Sequence, residues 1–229
     1  MEVYKDGIDQ GWLEDQNWWL NPDNPNSFLI QKAEDNYPEE YFAKDHVSEE
    51  TVNNLFRYVC EYYYRLTNNP LKTVVEFGCG GGWFLKKFLD YGIDAYGYEY
   101  SNFGISKSIA RGIELKNINK IDLRLVIPPL FGYKYNMAIC TEVAEHIEIP
   151  FSAMLVYNLI THSDLIWFST EEPNTNRPHI HHPNERPYKF WIKLFDFYNY
   201  GYYMLPDDVY NACEGRGRMI FYNRKTIKI

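Results

Sequence analysis

The stretch Val75-Glu76-Phe77-Gly78-Cys79-Gly80-Gly81-Gly82 joins an apolar run to a helical pattern. The residues before it, from Thr73, are mostly β-branched or apolar, as in a buried strand. The residues after it repeat apolar positions at helical spacing and end before Gly92. Glycine lets a backbone turn tightly and approach a ligand without a Cβ in the way. The stretch therefore predicts a strand, a ligand-binding turn and a helix in succession.

Strand and helix patterns alternate on both sides of this unit. Upstream, Ser48 is placed to cap a helix that Asn68-Asn69-Pro70 ends. Downstream, helices are expected over residues 102–111, 150–162 and 190–195. The other expected strands are one ending at Glu99 and five more at 121–123, 135–140, 164–169, 202–205 and 219–222. This alternation predicts an α/β domain with a seven-stranded, mostly parallel sheet and helices on both faces.

The chain length of 229 residues fits one domain with a small appendage. Residues 1–47 are rich in Trp, Asn, Pro and Asp and show no sustained helical or strand period. We therefore expect an irregular N-terminal cap over residues 1–47 and a single domain over residues 48–229. A glycine-containing loop is expected between the last two strands.

The composition restricts location and partners. There is no apolar run long enough to span a bilayer, and the amino terminus lacks a secretory pattern, so we expect a cytoplasmic protein with no membrane partner. The four cysteines are scattered and form no C-x-x-C pair, which argues against a zinc cage or a disulfide framework. Lys plus Arg number 23 and Asp plus Glu number 31, for a net charge of −8, which disfavours a long nucleic-acid partner. No pattern in the sequence indicates an oligomeric state.

An acid follows the glycine-rich turn at the distance that a nucleotide site requires. Glu99 ends the expected second strand, 21 residues after Gly78, where its carboxylate can accept hydrogen bonds from two ribose hydroxyls. Tyr100 would then lie against an adenine ring. A nicotinamide-dependent dehydrogenase shares the glycines and the acid, so these features alone leave that alternative open.

The segment from Val75 to Gly82 resembles the first motif of class I S-adenosylmethionine-dependent methyltransferases, and Tyr98-Glu99-Tyr100-Ser101 resembles their second-strand motif. The resemblance covers roughly residues 50–225 and implies a Rossmann-like methyltransferase fold with S-adenosyl-L-methionine as the methyl donor. Glu99 stands where Asp is also common in the family, and its longer side chain implies a slightly different ribose position. The donor-binding residues implied by the resemblance are Glu76, Gly78, Cys79, Gly80, Gly82, Trp83, Glu99, Tyr100, Asp122 and Cys140.

A polar cluster follows the expected fourth strand, in the sequence Cys140-Thr141-Glu142-Val143-Ala144-Glu145-His146. If this cluster opens a helical turn, Glu142, Glu145 and His146 stand at i, i+3 and i+4 and share one face. Carboxylate and imidazole groups so placed could hold one Mg²⁺ or Mn²⁺ ion. Alternatively, these residues orient the loop or act as an acid or base without a metal.

The same segment resembles that of ubiquinone-biosynthesis O-methyltransferases, and its E-x-x-E-H ligand set resembles that of small-RNA terminal 2′-O-methyltransferases, which bind a divalent ion through it. In the latter family a further histidine comes from the loop after strand five. The resemblance therefore implies a metal site of Glu142, Glu145, His146 and His182. His181 and His179 are the next choices for the fourth ligand. As proton acceptors we expect His181 or His179, or His146 if no metal binds.

A vicinal diol is common to a sugar, an RNA terminus and a catechol, and a bound ion could orient any of them. The acidic balance argues against RNA, and the loop from Asn184 to Trp191 resembles those of methyltransferases of glycan and capsule synthesis. We therefore expect a sugar or glycan acceptor, such as the 2-OH of a terminal deoxyhexose in a glycan. The alternatives are 2′-O-methylation of an RNA terminus, methylation of a catechol, and a non-enzymatic adenosylmethionine-binding partner protein.

Overall fold

The structure is a computed structural model that describes residues 47–130, 132–173 and 182–228. Its α-helices are α1 (Glu49–Thr67), α2 (Trp83–Asp90), α3 (Asn102–Ala110), α4 (Ser152–His162), α5 (Tyr188–Phe197) and α6 (Asp207–Ala212). Its strands are β1 (Thr73–Phe77), β2 (Asp94–Glu99), β3 (Ile118–Lys120), β4 (Met137–Thr141), β5 (Leu165–Ser169), β6 (Tyr200–Met204) and β7 (Met219–Asn223). Short 3₁₀ turns lie at Leu115–Asn117, Ala144–His146 and Ile149–Phe151.

The seven strands form one sheet in the order β3-β2-β1-β4-β5-β7-β6. The first five strands in this order are parallel, and β7 is antiparallel to both β5 and β6. The predicted seven-stranded, mostly parallel Rossmann-like sheet is therefore confirmed. The predicted cap over residues 1–47 lies, except for Val47, outside the described residues and stays a prediction.

Local sequence accounts for α1. The Ser48 side chain accepts a hydrogen bond from the Thr51 main-chain N–H at 3.1 Å, which satisfies one of the unpaired donors at the helix start. Val52, Leu55 and Val59 share the buried face. The helix ends at Asn68, which takes a left-handed conformation with φ 54°.

The strand order creates a crevice at the centre of the sheet. The chain moves outward from β1 to β2 and β3, and it then returns to add β4 on the other side of β1. The carboxyl ends of β1 and β4 are therefore neighbours, with Phe77 paired to Cys140. Ligands of open α/β sheets bind at such a switch point, so the glycine-rich turn and the polar cluster after β4 face one crevice.

Two predicted elements differ from the structure. The third strand was expected at residues 121–123 but covers Ile118–Lys120, because Ile118 pairs with Gly97 and the Asn117 amide donates to the Ala95 carbonyl at 2.9 Å. Asp122 lies after the strand, in a turn closed by its hydrogen bond from the Arg124 N–H at 3.0 Å. The connection from β6 to β7 is not a simple loop, because it contains α6, with Asp207 and Asp208 in the first helical turn.

No helix of the described ranges is long and apolar enough to cross a membrane.

Gly97 of β2 lies directly beneath the glycine-rich turn. A Cβ on Gly97 would come within 2.6 Å of Cys79 Sγ and 2.7 Å of Leu85 Cδ2. We expect Gly97→Ala to lower the free energy of unfolding by about 1–3 kcal/mol through overpacking, measured by urea denaturation.

Gly92 provides a comparison without the close contacts. A Cβ there meets no atom of the described residues within 4 Å, so Gly92→Ala measures only the cost of placing alanine at a φ of +75°, a cost that Gly97 does not carry. A Gly97→Ala protein as stable as the wild type would contradict the close packing of β2 against the turn.

Candidate active site

The residues Gly78–Gly82, here called the donor turn, connect β1 to α2. Gly78, Gly80 and Gly82 have φ values of 71°, 52° and 76°, a left-handed region that favours glycine. The N–H groups of Gly78 and Cys79 donate to the Tyr98 carbonyl at 2.8 and 3.1 Å, which ties the turn to β2. The turn thus has the strand-to-helix geometry that the sequence predicted.

Glu99 accepts three main-chain hydrogen bonds at the end of β2. Its Oε2 accepts from the Gly80 N–H at 2.7 Å, and its Oε1 accepts from the N–H groups of Tyr100 and Ser101 at 2.9 and 2.7 Å. The side chain is buried. Glu99 therefore holds the middle of the donor turn against the end of β2, and its predicted contact with a ribose stays a prediction.

Glu76 lies in β1, on the face of the sheet that also carries Glu99. Burial raises the pKa of Glu76 to about 8, and a nearby Leu85 main-chain N–H opposes that rise. Its buried Oε2 has no hydrogen-bond partner among the described residues. A buried polar atom without a partner is costly, so this oxygen is available for a polar group of a bound ligand.

Three other residues predicted to bind the methyl donor, Trp83, Tyr100 and Cys140, lie near charged or buried groups. The Arg111 guanidinium carbon lies 3.6 Å from the centroid of the Trp83 ring. Lys120 Nζ lies 5.6 Å from the centroid of the Tyr100 ring. Cys140 is fully buried at the end of β4, and burial, with Glu145 and Glu142 nearby, raises the pKa of its thiol well above the usual range.

Asp122 is already engaged in an ion pair. Its carboxylate accepts from Arg124 Nε at 2.9 and 3.2 Å and from Nη2 at 2.8 Å. Burial opposes ionisation of Asp122, but the bonds from Arg124 outweigh it and lower its pKa. Arg124 also contacts Glu148 at 3.1 Å, so it links Asp122 to the segment after β4. The predicted role of Asp122 in donor binding stays a prediction.

The predicted helical presentation of Glu142, Glu145 and His146 is wrong. Glu142 has a left-handed backbone, with φ 54°, and the helical turn begins only at Ala144. The Glu142 N–H donates to the Ser169 carbonyl at 3.2 Å, and its Oε1 accepts from the Ser169 hydroxyl at 2.8 Å. Its pairing with the end of β5 thus pulls Glu142 out of the helical turn. Left-handed glutamates are uncommon, and such strain is concentrated at functional sites.

The structure brings Glu145, His146 and His182 together at the carboxyl edge of the sheet. One ligand atom from each residue lies within 4.8 Å of the others, which makes these three a group that could hold a metal ion. His146 Nε2 lies 4.0 Å from Glu145 Oε1, and the two imidazole rings meet edge to face with centroids 4.5 Å apart. Glu142 lies outside this group, and its predicted role as a ligand stays a prediction.

Hydrogen bonds from the loop after β5 hold this cluster in place. The Thr170 hydroxyl donates to Glu145 Oε2 at 2.9 Å, and the Asn184 N–H donates to the Glu145 carbonyl at 3.1 Å. His182 Nδ1 lies 3.1 Å from Glu185 Oε1 and 3.7 Å from Glu171 Oε2. Sequence reasoning missed Thr170, Asn184 and Glu185, although the position of Thr170 just after β5, beside β4, pointed to this edge.

The electrostatic environment of the cluster is acidic. Burial raises the pKa of Glu145, and the neighbouring Glu142 carboxylate raises it further. Burial also raises the pKa of Glu142, while Ser169 and Arg216 lower it. The predicted proton acceptors His179 and His181 lie outside the described residues.

The comparisons with known proteins agree with this geometry. Residues 52–202 match the family model described as a methyltransferase domain. No curated protein matches the chain in sequence.

Three solved structures illustrate the likeness. The sugar N-methyltransferase KedS8 from Streptoalloteichus sp ATCC 53650 has a TM-score of 0.59 and 12% identity, covering 79% of this chain and 89% of that chain. DesVI from Streptomyces venezuelae has a TM-score of 0.58 and 13% identity, covering 76% of this chain and 92% of that chain. The small RNA methyltransferase HEN1 has a TM-score of 0.53 and 19% identity, covering 75% of this chain and 26% of that chain. At these identities the likeness shows the fold.

The family match covers the donor turn, Glu99 and the cluster after β4, and it favours methyl transfer over the nicotinamide-dependent alternative. The chain belongs to the methyltransferase-domain family and is a class I S-adenosylmethionine-dependent methyltransferase.

Proposed function

We propose that this methyltransferase transfers a methyl group to a hydroxyl of a sugar vicinal diol, assisted by a divalent metal ion. The observation that carries the proposal is the convergence of Glu145, His146 and His182 from two separate loops beside the donor crevice. These three residues would bind the metal, and Glu142 is our proposed fourth ligand.

The ligand atoms of this cluster suit Mg²⁺ or Mn²⁺. Carboxylate oxygens and imidazole nitrogens are ligands for these ions, and ligands on opposite sides of Mg²⁺ lie about 4.2 Å apart. The observed spread, within 4.8 Å, is near that value. The surroundings of the cluster are acidic and Glu145 is buried, so a cation would favour the charged forms of Glu145 and Glu142.

Each part of the site has a separate task in the proposed reaction. The donor turn and Glu99 hold the adenosylmethionine so that its methyl group faces the cluster after β4. A bound divalent ion lowers the pKa of a coordinated hydroxyl and holds a diol in one orientation. The acceptor oxygen forms a bond to the methyl carbon as the carbon–sulfur bond breaks, and S-adenosylhomocysteine leaves. The hydroxyl proton passes to a base, for which we propose His181 or His179, or His146 if no metal binds.

Charge and surroundings support a sugar as the acceptor. The chain carries a net charge of −8, and Glu171 and Glu172 add carboxylates beside the cluster, so a phosphate-bearing polymer is repelled. Tyr188 lies at the same place, its hydroxyl donating to the Thr170 carbonyl at 2.8 Å. Aromatic rings commonly pack on the C–H faces of sugars. One structural neighbour is a sugar N-methyltransferase, which is compatible with this proposal.

The terminal ribose of an RNA is an alternative acceptor, because the cluster would suit it as well. The terminal ribose of an RNA offers the same vicinal diol, and the E-x-x-E-H segment resembles that of small-RNA terminal 2′-O-methyltransferases. The acidic charge argues against this acceptor, and the experiment below separates the two.

The test measures transfer of a radiolabelled methyl group from adenosylmethionine to four acceptors. These are a 6-deoxyhexose glycoside, its 2-deoxy analogue, a short RNA with a free terminal diol, and a catechol. We expect transfer to the glycoside alone, lost with EDTA and restored by Mn²⁺. Transfer to the RNA alone or to the catechol alone would show that the acceptor is not a sugar. Transfer that persists in EDTA would overturn the proposed requirement for a metal ion.

A further inference from the structure

The last turn of α3 packs against the outer side of the donor turn. Ser108 and Arg111 are three residues apart at this end of the helix and therefore point the same way. Each donates a side-chain hydrogen bond to a main-chain carbonyl of the donor turn: Ser108 to Gly80 and Arg111 to Gly81. Neither residue belongs to the motifs that identify the donor site.

The Gly80 peptide groups are held from both sides. The Gly80 N–H donates to Glu99 Oε2 at 2.7 Å, toward the end of β2. The Gly80 carbonyl accepts from Ser108 Oγ at 3.0 Å, toward α3. Ser108 is fully buried, so its hydroxyl is shielded from competing water. Gly80 has a φ of 52°, and this pair of contacts selects that conformation from the many open to glycine.

Arg111 holds the end of the turn and the start of α2 together. Its Nη1 donates to the Gly81 carbonyl, and its guanidinium carbon lies 3.6 Å from the centroid of the Trp83 ring. Trp83 is the first residue of α2. A guanidinium over an indole face is a favourable cation–π arrangement, and its planar shape suits stacking and donation at the same time.

The packing leaves no room for the turn to move toward α3. A Cβ built on Gly82 would come within 2.6 Å of Ser108 Oγ and 2.5 Å of Ile113 Cδ1. A Cβ on Gly81 would lie 3.3 Å from Arg111 Nη1. The glycines therefore bring the turn close enough to α3 for both carbonyls to be held.

We propose that Ser108 and Arg111 are positioning residues for the methyl donor. They hold the Gly80 and Gly81 carbonyls outward, toward α3, so that the donor turn has its binding conformation before the donor arrives. A glycine-rich turn without these contacts would have to be ordered on binding, and that ordering would weaken affinity. Once bound, the methyl donor contacts the same atoms with or without these two side chains. Removing them should therefore weaken the affinity for the donor and leave the rate of the chemical step unchanged.

The test compares Ser108→Ala and Arg111→Met with the wild type. Calorimetry measures the Kd of S-adenosylhomocysteine, which requires neither an acceptor nor a metal and is therefore independent of the proposed sugar reaction. We expect the Kd to rise about tenfold in each variant, the loss of one hydrogen bond to a main-chain carbonyl. With any acceptor that the enzyme methylates, the KM for adenosylmethionine should rise similarly, while kcat at saturating donor stays within about twofold.

Two matched variants separate positioning from general stability. Ser163 is a buried serine whose hydroxyl donates to the Leu165 carbonyl at 2.8 Å, just before β5 begins and far from the crevice. Arg65 lies 5.1 Å from the centroid of the Tyr62 ring on α1. Ser163→Ala and Arg65→Met remove a similar side chain away from the donor turn, so they should leave the Kd unchanged whatever their effect on Tm.

An unchanged Kd in both folded variants, Ser108→Ala and Arg111→Met, would overturn the proposal. So would a rise in Kd of the same size in the two control variants. Because Arg111 is only partly buried, Arg111→Met tests the proposal even if Ser108→Ala does not fold.

Discussion

Glu145→Gln is expected to lower kcat/KM for the acceptor by about a thousandfold and to abolish Mn²⁺ binding measured by calorimetry. The glutamine keeps the size of the side chain and an oxygen that can accept from Thr170, which lies 2.9 Å from Glu145 Oε2. It removes the negative charge from the most buried member of the cluster, which is 1% exposed. Binding of S-adenosylhomocysteine should be unchanged, because the donor turn is not altered.

The same substitution is expected to raise Tm in metal-free buffer. Burial and the nearby Glu142 raise the pKa of Glu145, so ionisation is less favourable in the folded protein. The resulting destabilisation is absent at low pH, where the carboxyl is protonated in both the folded and unfolded states, and it increases as the pH rises above the ordinary pKa of a glutamate. The Tm gain of the variant should therefore be larger at pH 9 than at pH 5.

Glu114→Gln is the control for the change in charge. Glu114 pairs with Lys116 on the surface, and its side chain is 70% exposed. This variant should retain Mn²⁺ binding, activity and Tm. A Glu145→Gln protein that still binds Mn²⁺ and methylates normally would rule out the proposed metal site.

Glu99→Ala is expected to raise the Kd of S-adenosylhomocysteine at least about a hundredfold and to lower Tm. The carboxylate accepts from the N–H groups of Gly80, Tyr100 and Ser101, so its removal leaves three donors without their partner. The donor turn then loses its tie to β2, and the predicted ribose contact is lost as well. Calorimetry and thermal unfolding measure the two effects.

Glu99→Asp tests whether the length of the acid matters beyond its charge. The shorter acid keeps its charge but cannot reach Gly80 on one side and Ser101 on the other at the observed 2.7 Å distances. We expect a Kd between those of the wild type and Glu99→Ala. A Glu99→Ala protein that binds the nucleoside as tightly as the wild type would show that this acid contributes nothing to the donor site.

The parts of the fold that the sequence predicted correctly depend on local chemistry. Ser48 caps α1 with its own side chain, and the glycines of the donor turn allow the left-handed backbone that the turn requires. The third strand was misplaced because a three-residue strand carries too little pattern. Its position depends on the pairing of Ile118 with Gly97 and on the contact from Asn117 to Ala95, 22 residues away.

In the active site, too, the sequence predicted some features and the tertiary structure determined others. The spacing of Glu142, Glu145 and His146 marked a polar cluster beside the donor crevice, because the carboxyl ends of neighbouring parallel strands share one edge. Only the tertiary structure decided how these side chains are presented, since the Ser169 carbonyl of β5 holds Glu142 in a left-handed conformation. The resemblance had named His182 as a partner of His146, and the tertiary structure adds the physical means, because Asn184 fastens the later loop to the Glu145 carbonyl. Such contacts join residues distant in sequence, and no local pattern records them.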